Sequence, residues 1–319
     1  YKNTGLGGGA PDKATAEVEA WLDEDANPAA EVRISSAEMG QGLPAVLAAC
    51  VSEELEISQA RVNVLLGDTD FCPDGGPTTA SRQTFISGNA ARLAARTLRR
   101  QLEAATGDGE PAEFSALLRN AEKNGIDTHA RYEYWAPKTQ PLGTGGDMHF
   151  AFGFCAQAVL CEIDTRTGSV RVRKVIAAHD VGRAINPLTL EGQIEGGIVM
   201  CMGYALSEHF IQEEGRPWTS VMARYKMPGI KFTPEIISHI VEHRTSTGPH
   251  GAKGVGELPS IPTSAAITNA IYRATGIRVR SLPVDQDELL LAMRAGGKDV
   301  EMGWGHTVPI PEVTLGGEA

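Results

Sequence analysis

Two short segments near the start of the chain, ATAEVEAWL at residues 14–22 and AEVRISS at residues 30–36, decide the first part of the fold. Both alternate apolar with polar residues, which is typical of half-buried strands, and the polar run DEDANP between them predicts a turn. We therefore predict a β-hairpin. Beyond it, apolar residues recur at helical spacing over residues 43–55, and RVNVLL at residues 61–66 returns to a strand pattern.

The rest of the chain predicts a similar alternation of strands, glycine-rich loops and helices. We expect a helix over 81–105, strands over 151–163 and 169–178, a helix over 188–210, a strand near 235–241, and helices over 261–274 and 285–294. This order predicts an α+β fold with two related subdomains of mixed sheets and packed helices. We place the subdomains at residues 1–145 and 146–300, followed by an extended tail at residues 301–319. A cleft between such subdomains is a common ligand site.

The composition is that of a globular protein with an acidic surface. The chain carries 40 Asp and Glu against 29 Lys and Arg, a net charge of −11, which disfavours binding to nucleic acid or anionic membranes. No apolar run reaches the roughly 18 residues of a membrane span. The five cysteines include no CxxC pair, which favours buried free thiols in a reducing compartment. We expect a soluble cytoplasmic protein.

Three glycine-bearing loops each lead into a predicted helix: AEMGQG at residues 37–42, GGPTTASRQ at residues 75–83 and GAKGVGELP at residues 251–259. Glycine lets a backbone approach a ligand closely, and a helix start offers free N–H groups to anionic oxygens. Together the loops suggest a cradle for a phosphorylated cofactor, although an ordinary connection is the simpler reading of any one loop. No phosphate-binding or dinucleotide fingerprint is present.

Glu257 is the carboxylate that stands out, since it lies between Gly256 and an apolar Leu258-Pro259 pair. A tight apolar setting raises a carboxyl pKa, whereas the nearby helix start and Lys253 lower it. Two interpretations remain open. Glu257 is either a base that is ionised near neutral pH or a carboxylate that caps the following helix. Lys253 is equally consistent with a solvated surface charge.

His179, at the end of a predicted strand, fits a structural role better than metal binding. The other histidines lack HxxxH or HExxH spacing, and no cysteine and histidine cluster has zinc spacing. We therefore predict no metal held by protein ligands. A serine hydrolase is also disfavoured, because no GxSxG motif is present.

Four motifs give the chain a family resemblance: EMGQG at residues 38–42, PTTAS at residues 77–81, GQIEGG at residues 192–197 after the Asn-Pro at residues 186–187, and KGVGE at residues 253–257. In this order, and over residues 1 to about 294, the chain resembles the C-terminal half of the molybdenum-binding subunit of the xanthine dehydrogenase and aldehyde oxidoreductase family. The resemblance implies a molybdopterin whose dithiolene holds molybdenum without protein ligands. A cytosine dinucleotide form of the cofactor is expected.

The resemblance also implies roles for individual residues. Glu257 matches the family's active-site glutamate and would act as general base in a hydroxylation that uses oxygen from water. Gln41 and Gln193 would hydrogen-bond the pterin or its nucleotide extension. One departure is that a single proline follows Leu258, where two prolines are common. The other implied cofactor contacts are Gly40, Gly42, Thr79, Ala80, Ser81, Lys253 and Gly254, of which residues 79–81 would serve the phosphate end.

Partner chains follow from the same resemblance. The family's fused subunit has an N-terminal half with a further pterin loop and most substrate contacts, so we expect another chain to supply it and this chain alone to be inactive. Iron–sulfur and flavin subunits are expected as well. Nicotinate dehydrogenase is similar in dividing its molybdenum subunit, which implies a medium molybdopterin subunit acting on an N-heteroaromatic such as nicotinate or a purine. An aldehyde substrate and a noncatalytic scaffold or nucleotide-binding module remain alternatives.

Overall fold

The computed structural model describes residues 1–107 and 112–296, and its helices and mixed sheets confirm the α+β class. The predicted tail at 301–319 lies outside the described residues. The strands are β1 (Lys2–Asn3), β2 (Lys13–Leu22), β3 (Pro28–Ile34), β4 (Val62–Leu66), β5 (His129–Trp135), β6 (Phe152–Gly153), β7 (Cys155–Ile163), β8 (Val170–Asp180), β9 (Gln212–Glu213), β10 (Arg216–Pro217) and β11 (Glu235–Val241). The helices are α1 (Leu43–Leu55), α2 (Gln83–Thr106), α3 (Phe114–Asn124), α4 (Pro187–Leu206), α5 (Met222–Tyr225), α6 (Thr263–Thr275) and α7 (Gln286–Arg294). Short 3₁₀ turns lie at Gln59–Arg61, Pro249–Gly251 and Leu258–Ser260.

A four-stranded sheet in the order β4-β3-β2-β5 contains the predicted hairpin. Strands β2 and β3 are antiparallel, with Val18 opposite Val32. Strand β4 runs parallel to β3, and α1 makes the connection between them over the residues that the apolar spacing predicts. Strand β5, which the sequence pattern did not indicate, adds to the sheet by antiparallel pairing with β2.

One face of this sheet is covered by the first three helices. Leu47 of α1, Phe85 and Leu98 of α2 and Leu117 of α3 are at most 1% exposed and belong to one core with the inward-facing residues of β2 and β3. Each fully buried side chain of this size contributes roughly 1.5–3 kcal/mol to folding. This core is the rigid base from which the loops at residues 37–42 and 75–83 extend.

The chain divides into two compact units that alternate along the sequence. Unit 1 comprises residues 1–156, 177–198 and 238–261, and unit 2 comprises residues 157–176, 199–237 and the chain from residue 262 onward. The predicted subdomains at residues 1–145 and 146–300 stay a prediction. A second sheet has three strands in the order β11-β8-β7.

Unit 2 contains the C-terminal helices of the described chain. Ile267 and Ile271 on one face of α6 are fully buried. The hydroxyl of Ser264 donates a hydrogen bond to the carbonyl of Cys201 on α4, and Val284 donates its N–H to the carbonyl of Ala205. These contacts hold the second half of α4 to the segments around α6 and α7.

The five cysteines are free thiols, as the sequence predicts, but only Cys50 is fully buried. Burial raises the pKa of the Cys50 thiol to about 12. The other four are half-buried, so the expectation of buried thiols holds for one of the five. Within residues 1–107 and 112–296, no helix combines the length and the apolar character that crossing a membrane requires.

Candidate cofactor-binding and catalytic site

Glu257 is held from two sides. Its Oε2 lies 2.6 Å from Nζ of Lys2 and accepts a 2.8 Å hydrogen bond from the hydroxyl of Ser81. The same hydroxyl accepts a 3.0 Å hydrogen bond from the backbone N–H of Glu257. The carboxylate makes no capping hydrogen bond to the turn that follows it, so the capping interpretation is wrong. With 55% of its side chain exposed, Glu257 is accessible to a ligand.

These partners keep the carboxylate ionised. Burial raises the pKa of Glu257, but the hydrogen bonds from Lys2 and Ser81 and the charge of Lys2 together outweigh it, so this pKa lies below its ordinary value. An ionised base at neutral pH was one of the two interpretations that the sequence left open, with the helix start and Lys253 as the groups that lower the pKa of Glu257. The structure assigns that effect to Lys2, which the sequence analysis missed because nothing local connects the first strand to residue 257.

Lys253 is buried and faces away from Glu257. Only 6% of its side chain is exposed, and its Nζ lies 2.6 Å from Oδ2 of Asp180 at the end of β8. Its backbone N–H donates to the carbonyl of Val181. Lys253 is therefore not a solvated charge, because its ammonium fixes the 251–259 loop to β8. The cofactor contact expected of Lys253 stays a prediction.

The 75–83 loop is shaped by a buried arginine. The side chain of Arg82 is fully buried, with Nε 2.7 Å from Oδ1 of Asp12 and Nη1 donating to the carbonyls of Gly75 and Pro77 at 2.8 Å each. A Cβ at Gly76 would lie 2.9 Å from Nη2 of Arg82. Arg82 lay within the quoted loop but received no role, because a charged residue at a helix start gives no local sign that it is buried.

The end of the same loop has a strained backbone. Ala80 and Ser81 have φ of 49° and 52°, a left-handed conformation that is uncommon for residues with a Cβ. The carbonyl of Ala80 accepts a hydrogen bond from Gly5 at 3.0 Å. Residues that keep such strain are held there by the surrounding structure and are concentrated at functional sites. Here the strain directs the Ser81 hydroxyl at Glu257.

Gly254 is required by close backbone packing. A Cβ at this position would overlap the carbonyl oxygen of Ser81. The N–H of Gly254 donates to the hydroxyl of Thr4 at 3.1 Å, so this amide is already occupied within the chain. Gly254 thus brings the 251–259 loop against Ser81, which positions Glu257.

The 37–42 loop is organised by its own side chains. One oxygen of Glu38 accepts the N–H groups of Gly40 and Gly42, and the other accepts that of Leu43 at the start of α1. Oε1 of Gln41 accepts the N–H of Met39, and Nε2 donates to the carbonyl of residue 37. Glu38, which received no role from sequence, is thus the anchor of the loop. The side-chain amide of Gln41 thus makes one hydrogen bond as acceptor and one as donor within the loop, and its remaining donor and acceptor positions are left for a ligand.

Four contacts join the motif segments into a closed ring within unit 1. The N–H of Ala37 donates to the hydroxyl of Thr78 at 3.1 Å, which links the first loop to the second, and Ser81 links the second to Glu257. Helix α4 completes the ring. A Cβ at Gly42 would lie 3.4 Å from Cβ of Thr189, and a Cβ at Gly197 would lie 2.9 Å from Cβ of Pro259.

Gln193 occupies the middle of the α4 part of this ring. Residues 189, 193 and 197 are four apart and share one helix face. The side chain of Gln193 is half-buried, and within the described part of the chain its amide has no hydrogen-bond partner. Thr79 is exposed, and its hydroxyl likewise has no partner among those residues. Both side chains are free to bind a polar ligand.

His179 takes no part in the ring. It is fully buried at the end of β8, and burial lowers the pKa of its imidazole to about 4. The imidazole of His179 is therefore neutral at neutral pH. Neither nitrogen has a partner within residues 1–107 and 112–296. A structural role remains the prediction for this residue. The same residues contain no group of three or more His, Cys, Asp or Glu arranged to hold a metal ion.

Comparison with known proteins gives the class of this site. Residues 2–234 match the family model of the molybdopterin cofactor-binding domain. The chain is 31% identical over 281 residues to the 6-hydroxypseudooxynicotine dehydrogenase complex subunit gamma of Paenarthrobacter nicotinovorans, covering 81% of this chain and 35% of that protein. It is 31% identical over 282 residues to the aldehyde oxidoreductase of Megalodesulfovibrio gigas, covering 87% of this chain and 30% of that protein.

The fold agrees with solved structures of the same class. The aldehyde oxidoreductase of Desulfovibrio desulfuricans superposes with a TM-score of 0.81 at 30% identity, over 92% of this chain and 31% of that one. The chain belongs to the molybdopterin cofactor-binding domain family, among the molybdenum-binding subunits related to xanthine dehydrogenase and aldehyde oxidoreductase. It spans about a third of the length of the curated relatives that it matches.

The residues of the ring fit a molybdopterin cofactor. A pterin has a polar edge that suits the free amide of Gln193, and a phosphate needs donors such as the exposed hydroxyl of Thr79. Gly40, with φ of 101° and no atom within 4 Å of a built Cβ, leaves open space beside the first loop. An exposed and ionised carboxylate completes the surface. The segments that carry the free polar side chains and the ionised carboxylate are therefore connected to one another within unit 1.

Proposed function

We propose that this chain is the molybdopterin-binding subunit of a molybdenum hydroxylase that oxidises an N-heteroaromatic substrate of the nicotinate or purine type. The observation that carries the proposal is the closed ring, because it joins four motifs distant in sequence and leaves the ionised Glu257 exposed beside them. A packing role alone would not need a free amide at Gln193 and an accessible carboxylate. This argues against a noncatalytic scaffold or nucleotide-binding module.

In this proposal the chain binds the cofactor through the ring. Gln41 and Gln193 hydrogen-bond the pterin, while Thr79, Ala80 and Ser81 face the phosphates, with Gly40 and Gly42 allowing close approach. Lys253 and Gly254 also contact the cofactor, and they fix the loop that carries Glu257. The cofactor, in a cytosine dinucleotide form, supplies molybdenum that delivers oxygen from water and accepts two electrons. Glu257, ionised before the reaction, takes up a proton and later returns it to solvent.

The remaining parts of the enzyme are assigned to partner chains. One relative of this chain is named as part of a complex, the subunit gamma given above. We propose an iron–sulfur subunit that removes electrons and a flavin subunit as partners. The assembly is placed in the cytoplasm, where free thiols such as Cys50 persist.

The substrate class is tested by comparing two groups of compounds on the purified complex. We expect oxidation of nicotinate-type heterocycles or purines with higher kcat/KM than of aromatic and aliphatic aldehydes. The reverse order would favour the second candidate, an aldehyde-oxidising enzyme, which the 30% identity to an aldehyde oxidoreductase supports. Absence of turnover with both groups in a complex that contains molybdenum would contradict both enzyme proposals.

Gln193→Ala tests the proposed cofactor contact on α4. Loss of one hydrogen bond to a buried polar ligand costs about 1–3 kcal/mol, so we expect a lower pterin content of the purified complex, or faster cofactor loss on dilution. The measurement is pterin content by fluorescence after oxidation. Gln101→Ala, at an exposed position of α2, is the matched control and should retain full content. Equal content in both variants would remove Gln193 from the cofactor site.

A further inference from the structure

Glu257 has an asymmetric set of partners. Both the ammonium of Lys2 and the hydroxyl of Ser81 contact the same oxygen, Oε2, at 2.6 and 2.8 Å. Within the described residues Oε1 has neither an ion-pair partner nor a hydrogen-bond donor. A carboxylate that is fixed through one oxygen presents the other in a defined direction.

The strand that carries Lys2 is held firmly against this turn. Strand β1 pairs with β6 in an antiparallel register that puts Lys2 opposite Gly153. Gly153 packs on the residue after Glu257, since a Cβ there would lie 2.9 Å from Cδ2 of Leu258. The side chain of Lys2 is only 12% exposed. Its ammonium is therefore confined to the carboxylate and is not a mobile surface charge.

Few charged groups face Glu257 from the elements packed around it. Lys2 on β1 is the one that contacts it among residues 1–107 and 112–296. On its own loop, Lys253 is turned to Asp180, and the thiol of Cys155 on β7 donates to the carbonyl of the residue that follows Glu257. The other charged groups on flanking elements are the exposed carboxylates Glu191 and Glu195 on α4, neither in an ion pair within the described residues.

We propose that Lys2 is the positioning residue of Glu257: with Ser81 it holds Oε2, so that Oε1 is the atom that takes up and releases the proton. This inference deepens the proposed function and rests on Glu257 acting as a base. The lysine also keeps the base in its charged form before the reaction. After protonation at Oε1 the ammonium favours release of the proton, which returns Glu257 to its starting state.

The sign of the pH effect follows from the charge of Lys2. The lowered pKa of Glu257 keeps the carboxylate ionised as the pH falls, until the pH reaches that lowered value. Removal of the ammonium abolishes an attraction that lowers a neighbouring carboxyl pKa by about 1–3 units, less where solvent screens it. The acid limb of the pH profile in Lys2→Met is thus expected to move to higher pH.

The experiment compares the purified wild-type complex with the variants Lys2→Met and Lys2→Arg. Lys138→Met is the control, because Lys138 is exposed and forms no ion pair in the described part of the chain. Two readouts are taken against pH. One is labelling of Glu257 by a carbodiimide, quantified by peptide mass spectrometry. A protonated carboxyl group transfers its proton to the carbodiimide nitrogen and adds through oxygen to the central carbon, so labelling falls as the carboxyl ionises. The other is kcat and KM with the best substrate. The labelling readout does not depend on molybdenum or on turnover.

We expect both the labelling midpoint and the acid limb of kcat to rise in Lys2→Met, while Lys2→Arg and Lys138→Met stay close to wild type. A raised midpoint in a complex without any turnover would support the role of Lys2 and contradict the proposed function. An unchanged midpoint, or a rise in KM alone, would overturn the role of Lys2. If Lys2→Met does not assemble, the wild-type complex alone still tests the role of Lys2. A pH midpoint for labelling of Glu257 at or above the ordinary glutamate pKa of about 4.3 would overturn that role.

Discussion

Glu257→Gln is expected to reduce turnover of the assembled complex by a factor of about 10²–10⁴, the usual contribution of a general base. The amide retains the size of the side chain and accepts the hydrogen bond from Ser81, but it cannot take up a proton. Lys2 then faces a neutral group, and the loop keeps its shape through Gly254. Cofactor content should therefore remain that of the wild type.

The matched control is Glu122→Gln, at an exposed position on α3, which should leave turnover unchanged. The measurement is kcat for each variant, normalised to the pterin content of the same preparation. A Glu257→Gln complex that turns over at the wild-type rate with normal pterin content would remove this residue from the chemistry.

Arg82→Met is expected to have the largest effect on stability. Arg82 and Asp12 are paired at 2.7 Å, with side chains 0% and 2% exposed. Removing one partner of such a pair leaves a buried charge uncompensated and costs about 3–5 kcal/mol. The backbone carbonyls of Lys13, Gly75 and Pro77 also lose the hydrogen bonds that Arg82 donates, and that of Pro77 keeps only the 3.3 Å hydrogen bond from Gln83. We expect lower yield of folded chain and fast hydrogen exchange in the 75–83 loop.

An ion pair on the surface provides the comparison for this variant. Arg166 contacts Asp164 at 3.5 Å with 87% of its side chain exposed, so Arg166→Met should leave the urea midpoint of the complex unchanged. If Arg82→Met has the same midpoint and the same exchange rates as Arg166→Met, the arginine does not organise the cofactor loop. A double variant that also replaces Asp12 by Asn should recover part of the loss, because no charge then stays unpaired.

The spacing of apolar residues correctly predicted those helices and strands that have one clearly buried face. The spacing of Leu43, Leu47, Val51 and Leu55 predicts α1 over its observed range, and all four are buried. Alternation predicts the β2–β3 hairpin for the same reason. Strand β5 was missed because only Ala130 among its seven residues is buried. Its pairing with β2 joins residues far apart in sequence, so no turn signal marks it.

The sequence identified the candidate ligand-facing residues of the site, but it missed the residues that hold their loops in place. The motifs identified Gln41, Ser81, Gln193 and Glu257, and the structure brings together the three loops and the helix α4 that carry them. Their roles at the cofactor stay predictions. Lys2, Arg82 and Glu38 were missed because each acts through a partner on another segment or through backbone groups. The spacing of charges along a sequence does not reveal such pairs, which is also why Lys253 was given the effect that belongs to Lys2.

The pterin and molybdenum content of the complex purified with this chain is the most direct test of whether the four motif segments form one cofactor-binding surface. Both should be present in equimolar amounts with the chain, and Gln193→Ala should lower them while Gln101→Ala does not. A folded and assembled complex that contains neither, from a host that makes the cofactor, would contradict a cofactor-binding role for the ring.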